Sequence, residues 1–89
     1  MMPKDVLLST PAQKQFDSLD GTIKERIKKA LRKLVETGTG DTKRLMGAKG
    51  REILIRLRVG DYRLVYKEEP DAIFVIQIFH RGKGYDWLD

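Results

Sequence analysis

Four arginines are the residues of this chain whose type and spacing could do chemistry. Arg56, Arg58 and Arg63 lie in the segment IRLRVGDYRLVY (55–66), and Arg81 follows further along. The planar guanidinium group suits bidentate contacts with phosphate oxygens. Arginine stays protonated in essentially all protein settings, so it can stabilise negative charge but transfers protons poorly. The arginines therefore predict an anion-binding surface, provided that the fold brings them together.

The segment 55–66 is predicted to be a β-hairpin with two unlike faces. Gly60-Asp61 fits a two-residue turn with glycine first, which sets Arg58 directly opposite Arg63. Strand alternation then gives a core face made of Ile53, Ile55, Leu57, Val59, Tyr62, Leu64 and Tyr66. The other face carries the arginines. Like charges in directly opposed positions destabilise a sheet, so Arg63→Ala is expected to leave stability unchanged or slightly raised.

A third strand is expected to extend the arginine-bearing face. In the run AIFVIQIFHR (72–81) the best core-facing set is Phe74, Ile76 and Ile78. The residues then expected on the other face are Val75, Gln77, Phe79 and Arg81. An ordinary solvated face is the alternative, but such faces usually mix lysine, glutamate, threonine and serine, whereas this one is dominated by arginine.

The elements that must position this surface form one domain, residues 1–89. A short apolar strand (5–9) precedes a helix with Thr10 as its N-cap and Pro11 at its first position. A second helix starts near Thr22 and ends at Gly38, and residues 39–50 are predicted to be a loop. Three strands follow, over residues 51–59, 62–68 and 72–81. The predicted fold class is α+β: two N-terminal helices on one face of a small, mostly antiparallel sheet, in the order β-α-α-β-β-β.

Composition narrows the classes of partner and site. The 89 residues include 18 Lys+Arg against 13 Asp+Glu, a net charge of +5 that favours anionic partners. One histidine and no cysteine leave no plausible zinc site, and no cofactor is expected. No segment has the length of a signal peptide or membrane helix, so we expect a cytoplasmic protein. The cations of the second helix are interpreted as a solvated face, with a weaker RNA-backbone contact as the alternative.

The run RLRVGDYRLVY (56–66), followed by HRGKGY (80–85), resembles the RelE/ParE toxin superfamily. LMG (45–47), the two helices and the opening strand fit the same pattern, so the resemblance covers nearly the whole chain. It implies a RelE-like toxin of a type II toxin–antitoxin system. The RelE branch consists of metal-independent endoribonucleases that cleave mRNA on the ribosome, where the ribose 2′-OH attacks the adjacent phosphate and translation is inhibited. The ParE branch instead inhibits DNA gyrase without nuclease chemistry.

The resemblance also implies roles for individual residues. Arg63 matches the arginine at the scissile phosphate, and Arg81 matches the one assigned to the leaving group or to transition-state charge. Tyr85 matches a terminal tyrosine that stacks on a base or orients the phosphate. Arg56 matches one of two basic positions thought to supply the general base. Leu54 occupies the other position, which departs from the pattern.

Proton transfer needs a further group, because arginine supplies it poorly. His80 is the only side chain of a type that titrates near neutrality, and it is a candidate acid or base. Strict alternation places the His80 side chain on the helix side of the sheet. The alternative to a catalytic role is a structural one, in which His80 forms a hydrogen bond with the backbone. Tyr85 is the other candidate acid. The remaining expected RNA contacts are Arg58, Lys67, Phe79 and Trp87, although Trp87 could equally cover the edge of the core.

Three functions therefore remain open from the sequence. The first is a ribosome-dependent mRNA endonuclease, the second a ParE-like inhibitor of DNA gyrase, and the third a binding module without toxicity. The expected partners are the ribosome, mRNA and a cognate acidic antitoxin that folds on binding. The toxin–antitoxin complex is expected to bind operator DNA through the antitoxin.

Overall fold

The computed structural model describes residues 5–45 and 53–83. Its elements are β1 (Asp5–Leu8), α1 (Thr10–Asp17), α2 (Gly21–Thr37), β2 (Thr42–Leu45), β3 (Leu54–Val59), β4 (Tyr62–Glu69), β5 (Ala72–His80) and a short 3₁₀ turn (Arg81–Lys83). The strands form one sheet in the order β1-β5-β4-β3-β2, with β1 parallel to β5 and the other pairs antiparallel. The predicted α+β class, with two helices on a mostly antiparallel sheet, is confirmed.

Strand β2 corrects the prediction of a loop over residues 39–50. It pairs with β3, with Thr42 opposite Leu57 and Leu45 opposite Leu54. The sequence TKRL has neither apolar alternation nor β-branched residues beyond its first position. Its strand conformation is therefore set by pairing with the neighbouring strand, which local sequence cannot report.

The helices begin slightly earlier than predicted because different residues cap them. Ser9, not Thr10, caps α1: its Oγ accepts a hydrogen bond from the Ala12 amide at 3.1 Å. The same Oγ donates to the Ile76 carbonyl in β5 at 2.6 Å, which ties the start of α1 to the sheet. Asp20 caps α2 through its carboxylate. Gly38 ends α2 as predicted, with a φ of 73° that favours glycine.

The main core lies between the helices and one face of the sheet. Its buried residues are Ala12, Ile27, Leu31, Leu34, Leu57, Leu64, Tyr66, Ile73, Val75 and Ile78. Ile55, Val59 and Tyr62 pack against this cluster, as the hairpin alternation predicted. Ile53 does not: it precedes β3 and is 50% exposed. The helices therefore cover the predicted core face, and the arginines lie on the opposite face.

A β-bulge changes which residues of β5 face the core. Val65 pairs with Gln77, but the next residue, Tyr66, pairs with Val75, so Ile76 is an extra residue in β5. The extra residue reverses the alternation toward the start of the strand. Val75 is therefore a core residue, and Phe74 lies on the arginine-bearing face, so both assignments made from strict alternation are wrong. The run is apolar at almost every position, and its pattern could not locate the bulge.

Candidate anion-binding surface

The arginine face is the sheet surface that carries Lys43, Arg56, Arg58, Arg63 and Lys67. The register confirms that Arg58 is directly opposite Arg63. Lys43 lies opposite Arg56 and adds a cation from the edge strand. Sequence reasoning missed this lysine because its segment was predicted to be a loop. Pairing thus gathers cations from three adjacent strands on one surface.

A second apolar cluster covers part of the arginine face. Its buried members are Leu45, Val65 and Phe79, and Leu54 packs against them. The arginine face is therefore partly apolar and buried, and it is not an entirely charged, open surface. Phe79 is 8% exposed, so this side chain fills the cluster where the sequence suggested an RNA-contacting ring. The cluster also gives a structural reason for an apolar Leu54 at a position where the resemblance implies a base.

Arg63 is the most buried of the cations on this face. It is 8% exposed, and its Nη1 donates to the carbonyl oxygens of Gly60 and Tyr62, each at 3.2 Å. These contacts fix the β3–β4 turn, where Gly60 has a φ of 58°. The burial and the two hydrogen bonds argue against the expectation that Arg63→Ala would be neutral or stabilising, because that expectation considered only repulsion from Arg58.

Arg56 and Arg58 share one carboxylate that sequence reasoning also missed. Asp41 Oδ1 lies 3.6 Å from Arg56 Nη2, and its Oδ2 lies 4.0 Å from Arg58 Nε. The side chain of Arg56 is 14% exposed, whereas that of Arg58 is 52% exposed. Asp41 precedes β2, and its carbonyl accepts a hydrogen bond from the Arg58 amide at 2.9 Å. No sequence signal could have shown this pairing, because it depends on the position of β2.

Arg81 lies beside the β3–β4 turn and not within β5, which ends at His80. Its amide donates to the Asp61 carbonyl at 2.8 Å, and its Nε is 3.6 Å from Asp61 Oδ1. The side chain is 61% exposed. Arg63 and Arg81 therefore both contact this turn, the first through carbonyls and the second through a carboxylate.

His80 lies on the other face of the sheet, as strict alternation indicated. It is opposite Tyr62, and the two rings meet edge to face with centroids 5.2 Å apart. Its Nδ1 accepts a hydrogen bond from the Gly82 amide at 3.1 Å. This contact agrees with the alternative role for His80, a histidine bonded to the backbone. The structure thus places His80 on the opposite sheet face from Arg56, Arg58 and Arg63. Tyr85 and Trp87 lie outside the described residues.

The remaining charged and titratable groups near the sheet have local roles. Lys67 Nζ lies 5.5 Å from the centre of the Phe74 ring, which the bulge brings to the same face. Burial, with a smaller contribution from the charge of Glu68, raises the pKa of Tyr66 to about 12. On α2, Lys28 pairs with Glu25 at 3.8 Å across an exposed helix surface. Over residues 5–45 and 53–83 there is no group of acidic, histidine or cysteine side chains that could hold a metal ion.

Comparison with known proteins places this fold in a family. The family model for the ParE toxin of the type II toxin–antitoxin system parDE matches residues 6–85. A chain of the archaeal RelE–RelB complex from Pyrococcus horikoshii OT3 superposes with a TM-score of 0.75 at 25% identity, covering 93% of this chain and 100% of that one. None of the curated protein sequences matches this chain. Among the described helices, none is long and apolar enough to cross a membrane.

Two further solved structures have the same fold. The RelB–RelE antitoxin–toxin complex from Methanococcus jannaschii contains a chain with a TM-score of 0.67 and 25% identity, with coverage of 93% of this chain and 99% of that one. The YoeB dimer from Staphylococcus aureus gives a TM-score of 0.71 at 17% identity, over 89% of this chain and 99% of that one, which supports the fold alone. The chain belongs to the ParE toxin family of type II toxin–antitoxin systems, within the RelE/ParE superfamily.

Proposed function

We propose that this toxin is a metal-independent endoribonuclease that cleaves mRNA on the ribosome and so inhibits translation. The observation that carries the proposal is the gathering of Lys43, Arg56, Arg58 and Arg63 on one sheet face, with Arg81 at the adjoining turn. Placing like charges side by side is unfavourable in the free protein. A polyanionic ligand would relieve this repulsion, which favours binding. Phosphate is such an anion, and its oxygens match the planar, bidentate donors of the guanidinium group.

Cleavage by 2′-OH attack needs a base, an acid and cations that stabilise the phosphorane. Arg56 and Arg81 are proposed to supply the cations, and the buried Arg63 adds its charge while fixing the turn beside Arg81. Tyr85 is proposed as the acid through its match to the family motif. His80 is the weaker candidate, because it contacts Tyr62 on the opposite face. With few proton-transfer groups available, much of the rate would come from the ribosome, which would hold the mRNA with its 2′-OH in line for attack.

The proposed protein partner is a cognate antitoxin in the cytoplasm. Similar chains are found in RelE–RelB and RelB–RelE complexes, and this chain carries a net charge of +5. An acidic antitoxin segment that folds on binding would complement that charge. Binding of the complex to operator DNA through the antitoxin is part of the same proposal.

Inhibition of DNA gyrase is the second candidate, and two observations favour it. The matching family model is that of ParE toxins. Leu54, at a position where the nuclease pattern has a basic residue, packs against the second apolar cluster. A ParE-like toxin would act through its binding surface and would not need that base.

Toxicity in cells, combined with mapping of RNA ends, separates the two candidates. Induction of the chain without antitoxin is expected to stop growth and to produce new mRNA 5′ ends at translated codons. Arg56→Ala should lower cleavage by about 10²–10³-fold, the loss typical of removing one transition-state contact. Arg32→Ala is the matched control, because Arg32 is an exposed arginine of α2 on the other side of the sheet. Growth arrest with gyrase-linked DNA breaks and intact mRNA would establish the second candidate, and a folded chain without toxicity would contradict both.

A further inference from the structure

The carboxylate of Asp41 lies between two guanidinium groups without forming short bonds to either. Its contacts with Arg56 and Arg58 are 3.6 and 4.0 Å long. Charge-assisted hydrogen bonds between such groups are typically about 2.7–2.9 Å. The side chain of Asp41 is also 60% exposed, so solvent screens both pairs. Asp41 is therefore a loosely held anion on the arginine face.

The backbone fixes the position of this anion. The Asp41 carbonyl accepts the Arg58 amide, so Asp41 stands beside Arg58 at the edge of the sheet. Two residues later Lys43 lies opposite Arg56. Lys43 therefore borders Arg56 through strand pairing, whereas Asp41, just before β2, borders both arginines through its carboxylate. Two arginines thus flank the Asp41 carboxylate on the β2–β3 side of the arginine face, and Lys43 lies opposite one of them, Arg56.

We infer that Lys43, Arg56 and Arg58 form a binding subsite for a backbone phosphate of single-stranded RNA, and that the carboxylate of Asp41 holds this subsite until RNA displaces it. The inference rests on the proposed function and deepens it, because it names the internal anion that RNA displaces beside Arg56, one of the cations proposed for the phosphorane. Asp41 acts on the ligand only through the arginines, so it is a positioning residue. It keeps two like charges neighbouring and oriented in the free protein.

A phosphodiester fits this subsite better than the internal carboxylate does. Its two non-bridging oxygens share one negative charge on a tetrahedral centre and can accept hydrogen bonds from two guanidinium groups at once. Asp41 is fixed to the strand backbone and reaches each arginine with a single long contact. Exposed ion pairs of this kind are weak, so an entering phosphate can replace them readily.

Binding of an RNA that cannot be cleaved tests the subsite independently of catalysis. The probe is a fluorescent 2′-O-methyl oligouridine of about ten nucleotides, within the usual site size of single-strand binders. Affinity is measured by anisotropy over a series of salt concentrations for the full chain and its variants. Asp41→Asn should tighten binding about fivefold at low salt, the scale of one exposed ion pair. The slope of log K against log salt should stay unchanged, because RNA displaces Asp41 in the unmodified chain and the same number of phosphates is neutralised in both proteins.

Three variants control for net charge, fold and subsite. Glu36→Gln removes the same charge from exposed α2 and should change affinity by less than about twofold, since an exposed charge remote from the ligand is screened. Asp41→Glu keeps the carboxylate and should restore the affinity of the unmodified chain. Lys43→Ala should weaken binding and flatten the slope by about 0.7. If Asp41 were purely structural, its replacement would instead lower the melting temperature without tightening RNA binding.

The outcomes separate this inference from the proposed function. Equal affinity of Asp41→Asn and Glu36→Gln for the oligonucleotide would overturn the subsite. So would an effect of Asp41→Asn on polyglutamate binding alone, because the site would then be built for an acidic peptide. The expected affinity changes in a chain that leaves mRNA intact on the ribosome would refute the nuclease while supporting the RNA subsite.

Discussion

Replacing Arg63 tests whether this buried arginine stabilises the fold as well as serving the charged surface. Arg63→Ala removes a side chain that is 8% exposed and that donates to the Gly60 and Tyr62 carbonyls at 3.2 Å. The substitution removes this side-chain donor from both carbonyls and opens space in a buried position. It also removes the repulsion between Arg63 and Arg58, which acts in the opposite direction.

The magnitudes decide which effect dominates. Two long hydrogen bonds contribute about 0.5–1 kcal/mol each, and the lost packing of the side-chain stem adds to this. Removing one repulsive like-charge pair raises the free energy of unfolding by about 0.2–1 kcal/mol. This gain is at the low end of the range here, because Arg58 is 52% exposed to solvent and lies near the carboxylate of Asp41. The free energy of unfolding should therefore fall by about 1–3 kcal/mol, which lowers the Tm by roughly 5–15 °C for a domain of this size.

Urea denaturation and differential scanning calorimetry measure the effect, with Arg58→Ala as the matched control. Arg58 stands opposite Arg63 on the same face, but it is exposed, and its one carboxylate contact is 4.0 Å long. Its replacement should change stability by no more than about 0.5 kcal/mol. If Arg63→Ala proves as stable as Arg58→Ala, the structural role assigned to the turn contacts is refuted.

Three further predictions concern the turn, a helix cap and the core. Gly60→Ala forces a residue with a side chain into a φ of 58° and should lower stability by about 1 kcal/mol, whereas Gly21→Ala, with open space around it, should be neutral or stabilising in the same urea titration. Ser9→Ala removes both the α1 cap and its bond to β5 and should reduce the free energy of unfolding by about 1–2 kcal/mol, with exposed Ser18→Ala as a smaller reference change. The pKa of Tyr66 is raised to about 12, so the unfolded chain ionises first; stability is full below about pH 10 and falls as the pH rises toward 12. That fall should be absent in Tyr66→Phe, and an unchanged alkaline unfolding profile between the two proteins would contradict it.

Much of the hairpin and its surface is determined by the sequence. Alternation over 55–66 predicts the face of Leu57, Leu64 and Tyr66 toward the helices, because a strand with one buried face admits a single register. The Gly60-Asp61 turn then determines that Arg58 meets Arg63. The order of the major helices and strands also follows from the spacing of apolar residues and from the glycines and prolines at turns and helix ends.

Tertiary structure alone decided the electrostatic partners and the extent of the surface. Strand β2 forms only by pairing with β3, and this pairing brings Lys43 and Asp41 to the arginines. The bulge at Ile76 exchanges the sheet faces of Phe74 and Val75. The sequence does not predict this exchange, because the run is apolar at almost every position and polar residues do not mark one face. Burial of Arg63 depends on a turn carbonyl and on an apolar cluster assembled from three strands. Each of these features depends on cross-strand distances, and a sequence encodes residue order along the chain without stating which strand edges will meet.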